Sequence, residues 1–156
     1  MKTDFNRYRL TSAWRLPVPA AQVYRALREV EHYPRWWPQV REVQRLDADS
    51  GRLRIRSVLP HDLVLTATTR REEEAPGGRG GVLEAALAGD LAGWSRWTVR
   101  PDGPGHALAV FEEDVRGGKP LMRRLALPGR PLFLANHALM MRAGRRGLRR
   151  YLLHNG

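Results

Sequence analysis

An α+β domain built on one antiparallel sheet follows from three features of this 156-residue sequence. Clusters of turn-forming residues divide its middle into segments of about seven to ten residues, the length of strands. Several of those segments alternate apolar residues with arginine, so one face is buried and the other solvated. Helical periodicity is segregated from them, in a short stretch near the start and a long one at the end.

The first strand places Tyr8, Leu10, Ser12, Trp14 and Leu16 on one face and Arg7, Arg9, Thr11, Ala13 and Arg15 on the other. Between Pro19, well placed for a first helical turn, and Pro34, the residues Val23, Ala26, Leu27 and Val30 keep the i, i+3, i+4, i+7 spacing of a short helix. Six strands in hairpin succession follow. Leu53, Ile55, Ser57 and Leu59 alternate with Arg52, Arg54 and Arg56. Leu63, Leu65 and Ala67 begin another strand; Leu83, Ala85 and Leu87 oppose Glu84 in the next. Trp97 and Val99 oppose Arg96, Thr98 and Arg100. The last strand, from about His106 to Val115, carries two parities: Phe111 and Val115 share one with Glu113, while Leu108 and Val110 share the other. Whether Glu113 faces inward is open at this point.

The final helix spans about Pro131 to Leu153, near 35 Å at ~1.5 Å per residue, enough to cross a sheet. At ~100° per residue, Phe133, His137, Met140, Gly144, Leu148 and Tyr151 form one stripe, with Arg142, Arg145, Arg146 and Arg149 opposite. It is the only element large enough to cover the sheet's apolar face.

Composition narrows the function classes. Hydrophobic residues at 42% and charged ones at 28% describe a globular chain, and the length fits a single domain over residues 1–156. The chain has no cysteine, which excludes disulfides, thiolate metal sites and thiol nucleophiles. The five histidines show no ligand spacing, so neither a metal nor a cofactor is expected. No serine sits in a Gly-x-Ser-x-Gly elbow, and Gly77-Gly78-Arg79-Gly80-Gly81 lacks the lysine of a phosphate loop. The start lacks the apolar run of a secretory signal, and the most apolar stretch, Leu132 to Met141, is half the length of a membrane span. A soluble cytoplasmic protein, monomer or homodimer, is expected.

The net charge is +11, and between Val115 and Gly156 ten basic residues meet no Asp or Glu. Such a face suits transient docking on an anionic membrane or an acidic protein; the competing reading is a solvated helix face. Nucleic acid is not expected as a partner, because no aromatics interleave with these arginines.

The strand–helix order, the Val18-Pro19-Ala20-Ala21-Gln22-Val23-Tyr24 helix start and Tyr33-Pro34-Arg35-Trp36-Trp37-Pro38 carry a resemblance. So do Gly89-Asp90-Leu91-Ala92-Gly93-Trp94 before the Trp97 strand and the long helix bearing Asn136-His137 and Met140-Met141. Together they resemble the START-like, helix-grip (SRPBCC) superfamily, in particular its polyketide cyclase/dehydrase-like branch. The resemblance implies a curved sheet of about seven strands around the terminal helix, with an apolar cavity between them.

In such a cavity the expected ligand contacts are Trp36, Trp37, Leu59, Leu65, Trp97, Phe111, Phe133, Met140 and Met141. Two adjacent tryptophans are hard to bury together in so small a domain, which places Trp36 and Trp37 at a pocket mouth or as a plug at one end of the core. His137, with Asn136 beside it, is the candidate proton shuttle or carbonyl-orienting pair; its competing reading is a hydrogen-bonded, space-filling histidine. Three functions stay open: binding of a small hydrophobic molecule (aromatic, polyketide-like or lipid), a polyketide aromatase/cyclase or dehydratase in the same pocket, and a lipid or quinone carrier that docks on membranes.

Overall fold

The computed structural model of the chain describes residues 4, 6–57, 62–118 and 129–155. Its elements run β1 (Arg7–Leu16), α1 (Ala20–Arg28), a 3-10 turn (Val30–Arg35), β2 (Val40–Arg45), β3 (Ser50–Ile55) and β4 (Leu63–Glu74). A short 3-10 turn (Pro76–Gly78) precedes β5 (Gly81–Gly89), β6 (Leu91–Pro101), β7 (Ala107–Gly117) and the helix α2 (Arg130–Asn155).

The seven strands form one sheet in the order β1-β7-β6-β5-β4-β3-β2. Every pairing is antiparallel, and β1 crosses to β7 while the other six join neighbour to neighbour. The alternation in β1 predicts its burial: Tyr8, Trp14 and Leu16 are buried while Arg7, Arg9 and Arg15 are exposed. The strand β2 has no clean alternation because a bulge interrupts it between Val40 and Glu42, so Val40 and Val43 both turn toward the core three residues apart. In β7 the odd-numbered residues win: Ala107, Ala109 and Val115 are buried, which brings Phe111 and Glu113 to the same inner face.

The outer face of the sheet is less open than its sequence implies. Glu84 is buried there, with Arg96 at 2.6 Å and Arg70 at 3.4 Å. The two guanidinium groups meet both carboxylate oxygens, which satisfies a charge that otherwise could not be buried.

The helical stretch expected between Pro19 and Pro34 is two pieces. Pro19 precedes the first turn, and its carbonyl accepts from the Gln22 and Val23 amides. Glu29 then leaves helical geometry, and the chain turns through the 3-10 segment. Tyr33, folded back from that segment, donates its hydroxyl to the Leu27 carbonyl at 2.6 Å and satisfies one orphaned acceptor at the helix end.

The core sits between the sheet, α1 and α2, around five aromatic rings. Trp14 contacts Trp36, Trp37 and Trp97 with centroids 6.4, 5.4 and 4.7 Å away, and Trp36 stacks on Trp37 at 5.3 Å. Tyr33 closes the group against Trp36 at 4.9 Å. The expectation that two adjacent tryptophans resist joint burial is corrected here, since Trp36 and Trp37 are each 4% exposed. The reason is a notch in α2. A Cβ on Gly144 would lie 2.6 Å from the Trp37 ring, and one on Gly147 would lie 1.7 Å from the Trp36 carbonyl oxygen. With both absent, the helix backbone approaches closely enough for the Trp37 indole to donate to the Met140 carbonyl at 2.9 Å.

Candidate functional site

Packing does not fill the space between sheet and α2. A cavity of about 270 Å³ remains, near the lower end of the ~300–1,000 Å³ of ligand pockets. Its walls are mostly apolar: Leu27 from α1, Leu53, Leu63, Leu65, Leu83 and Leu87 from β3 to β5, Trp97, Phe111 and Phe133. A second, more polar cleft of about 380 Å³ adjoins it and shares Arg28, Leu53, Thr69 and Glu72 as walls.

Of the residues expected at the ligand, Trp37, Leu65, Trp97, Phe111, Phe133, Met140 and Met141 line this cavity, together with Asn136 and His137. Trp36 does not: it stacks behind Trp37, away from the wall. Leu59 lies outside the described residues.

One wall is polar. The inward parity of β7 puts Glu113 between Leu10 of β1 and Ser95 of β6. Above it, His137 Nε2 comes within 2.9 Å of Glu113 Oε1. That is ion-pair distance, although the ring nitrogen has no acceptor in line with it for a hydrogen bond. His137 also lies over Phe111, near-parallel with centroids 6.4 Å apart. One helical turn earlier, Phe133 meets the edge of Tyr8 at 6.2 Å. Tyr8 is 4% exposed, lines the cavity, and its buried hydroxyl has no hydrogen-bond partner among the described residues. Burial pushes the Tyr8 phenol above its ordinary pKa, opposed in part by the Arg130 guanidinium 4.7 Å over the ring. At neutral pH the group is therefore a hydrogen-bond donor.

An imidazole beside a carboxylate in a dry cleft can relay a proton or orient a ligand oxygen. Glu113 and Tyr8 are the two members sequence reasoning left short. The parity of Glu113 is ambiguous in a strand with apolar residues on both faces, and parity alone turns Tyr8 inward with core packing ahead of ligand contact. The only signal for either was shared strand parity with buried neighbours. Among the described residues, no group of three or more His, Asp or Glu side chains is placed to hold a metal ion.

Residues 16–138 match the family described as polyketide cyclase / dehydrase and lipid transport. No curated protein matches the sequence. Among solved structures, a START superfamily protein of Mycobacterium smegmatis superposes with a TM-score of 0.74 at 16% identity, covering 95% of this chain and 99% of that one. A protein of Thermus thermophilus gives 0.74 at 14%, covering 96% and 99%. The Zhui aromatase/cyclase of a Streptomyces species gives 0.62 at 13%, covering 90% and 95%. At these identities the likeness is one of fold, and it makes the architecture here a START-like helix-grip.

Proposed function

The chain belongs to the polyketide cyclase/dehydrase and lipid transport family, and on that premise we propose that it binds a small hydrophobic molecule between its sheet and α2. Families of this kind bind hydrophobic ligands or act as polyketide cyclases. The observation that carries the reading is the unfilled, mostly apolar cavity of about 270 Å³, with a few polar groups in its lining. Burial of apolar ligand surface supplies roughly 25 cal/mol per Å² before entropic costs, and the polar wall sets orientation.

The test is native mass spectrometry of the purified protein. It is expected to find a copurifying hydrophobic molecule, or one-to-one uptake of a hydrophobic fluorophore. Protein that carries nothing and takes up no such probe overturns the reading.

A second reading, a polyketide aromatase/cyclase or dehydratase, draws on the 2.9 Å approach of His137 to Glu113 inside the cavity. The walls would hold a poly-β-keto chain folded for reaction, and the pair would move a proton. His137→Ala separates the two: a binding protein keeps its ligand, whereas an acid–base enzyme binds and no longer turns over.

The carrier reading draws on α2. Its outward face sets exposed Leu132, Leu139 and Leu153 at seven-residue intervals with Arg146 between, and Arg142 and Arg149 alongside. A membrane shuttle would bind anionic vesicles and release them as salt rises; neutral vesicles would not compete.

A further inference from the structure

We infer that the cavity selects a neutral, hydroxyl-bearing apolar ligand (an alcohol, phenol or enol) and rejects carboxylates, through Glu113 and Tyr8. The inference rests on the proposed binding function and names the ligand class for the same cavity.

Buried polar groups in folded proteins are almost always paired, because an unpaired one loses its water without replacement. Five polar side chains gather on the side of the cavity formed by β1, β6, β7 and α2: Tyr8, Ser95, Glu113, Asn136 and His137; Arg28, Arg56 and Arg71 line it elsewhere. Apart from the Arg130 guanidinium over the Tyr8 ring, the contact of His137 with Glu113 is the only polar contact made by these side chains among the described residues. The Tyr8 hydroxyl is buried without a partner, and His137 Nε2 has no aligned acceptor. The second carboxylate oxygen of Glu113 makes no hydrogen bond with a described residue. A cluster that could satisfy itself would be structural. This one does not.

Register and helical phase hold these groups together. Leu10 stands opposite Glu113 and Tyr8 opposite Val115, so Tyr8 and Glu113 are diagonal neighbours on the inner face. Phe133 and His137, one turn apart on α2, meet Tyr8 and Glu113 respectively. A donor and an acceptor thus stand side by side on the inner face. Tyr8 can only usefully donate, and the Glu113 carboxylate can only accept.

A ligand hydroxyl meets both demands at once: it accepts from Tyr8 and donates to Glu113. A hydrocarbon leaves both unmet. A carboxylate brings Glu113 no proton and sets a like charge beside it, while Arg28, Arg56 and Arg71 line the cavity from other elements.

The test uses three probes of one shape, 2-naphthol, naphthalene and 2-naphthoate, titrated into the whole protein at pH 7 with calorimetry or tryptophan fluorescence. The expected result is that 2-naphthol binds about tenfold or more tightly than each of the others, the span of one hydrogen bond to a charged group. Glu113→Gln should shrink the naphthol-over-naphthoate ratio by about tenfold, and Tyr8→Phe should shrink the naphthol-over-naphthalene ratio by a few-fold. Both substitutions are near-isosteric, and circular dichroism with thermal melting establishes that each variant is folded. Equal binding of all three probes, preference for naphthoate, or ratios unmoved in folded variants overturns the selectivity while leaving the cavity's binding function standing. Failure of all three to bind overturns both.

Discussion

At the scale of single residues, a few hydrogen bonds and ion pairs carry consequences that can be measured. Tyr33 is buried, and burial pushes its phenol well above the ordinary range, so it remains the donor to the Leu27 carbonyl at any pH the fold survives. Tyr33→Phe should lower unfolding stability by about 1–3 kcal/mol in urea titrations, the cost of a buried acceptor left unpaired. Asp114 behaves oppositely. The Arg7 guanidinium, hydrogen-bonded at 2.6 and 2.9 Å, holds its carboxyl below the ordinary value. The unfolded chain then binds the proton more readily than the folded one. The stabilisation is full above the unfolded carboxyl value near 4 and is lost as pH falls through the lower folded value. Urea midpoints should hold between pH 5 and 7 and drop below about 4, with a shallower drop in Asp114→Asn; Asp47 and Glu73, also held low, contribute the remainder.

At the scale of elements, the contact between α2 and the Trp36-Trp37 segment organises the core. Glycine inside a helix ordinarily costs about 1 kcal/mol relative to alanine, so Gly→Ala in a helix usually stabilises. The sign should reverse at Gly147, where the added carbon would fall 1.7 Å from a backbone oxygen that has nowhere to move. Gly147→Ala is expected to cost about 2–3 kcal/mol by overpacking. It should also red-shift tryptophan emission as the ring cluster loosens. A variant as stable as the parent would show that the helix does not depend on this approach. Helical periodicity indicated which side of α2 is buried, but it could not reveal that two glycines set the separation.

At the scale of the whole molecule, the sheet and α2 together enclose more space than their side chains fill. Domain interiors usually pack densely, so a hollow of about 270 Å³ forgoes packing contacts that filling it would restore. Ala85 lines that hollow from β5. Ala85→Phe should fill part of it, raise stability by about 1–2 kcal/mol in thermal melts and abolish uptake of hydrophobic probes. A variant that still takes up its ligand with unchanged affinity would place the binding site elsewhere.

Arginine alternating with apolar residues in β1 and β3, and the apolar stripe from Phe133 to Tyr151, were enough to determine the class of fold and the faces that β1, β3 and the terminal helix bury. Those patterns are local, because burial repeats every second residue in a strand and every three or four in a helix. Most expected contacts at the cavity followed from the same parity, including Trp97, Phe111, His137 and Met140. Tertiary structure alone decided three matters: that Glu113 turns inward to His137, that Trp36 is shielded behind Trp37, and that the interior stays partly empty. Each depends on distances between segments far apart in the chain. Such distances arise from register, bulges and the closeness two glycines allow, none of which is written in the periodicity of a single segment.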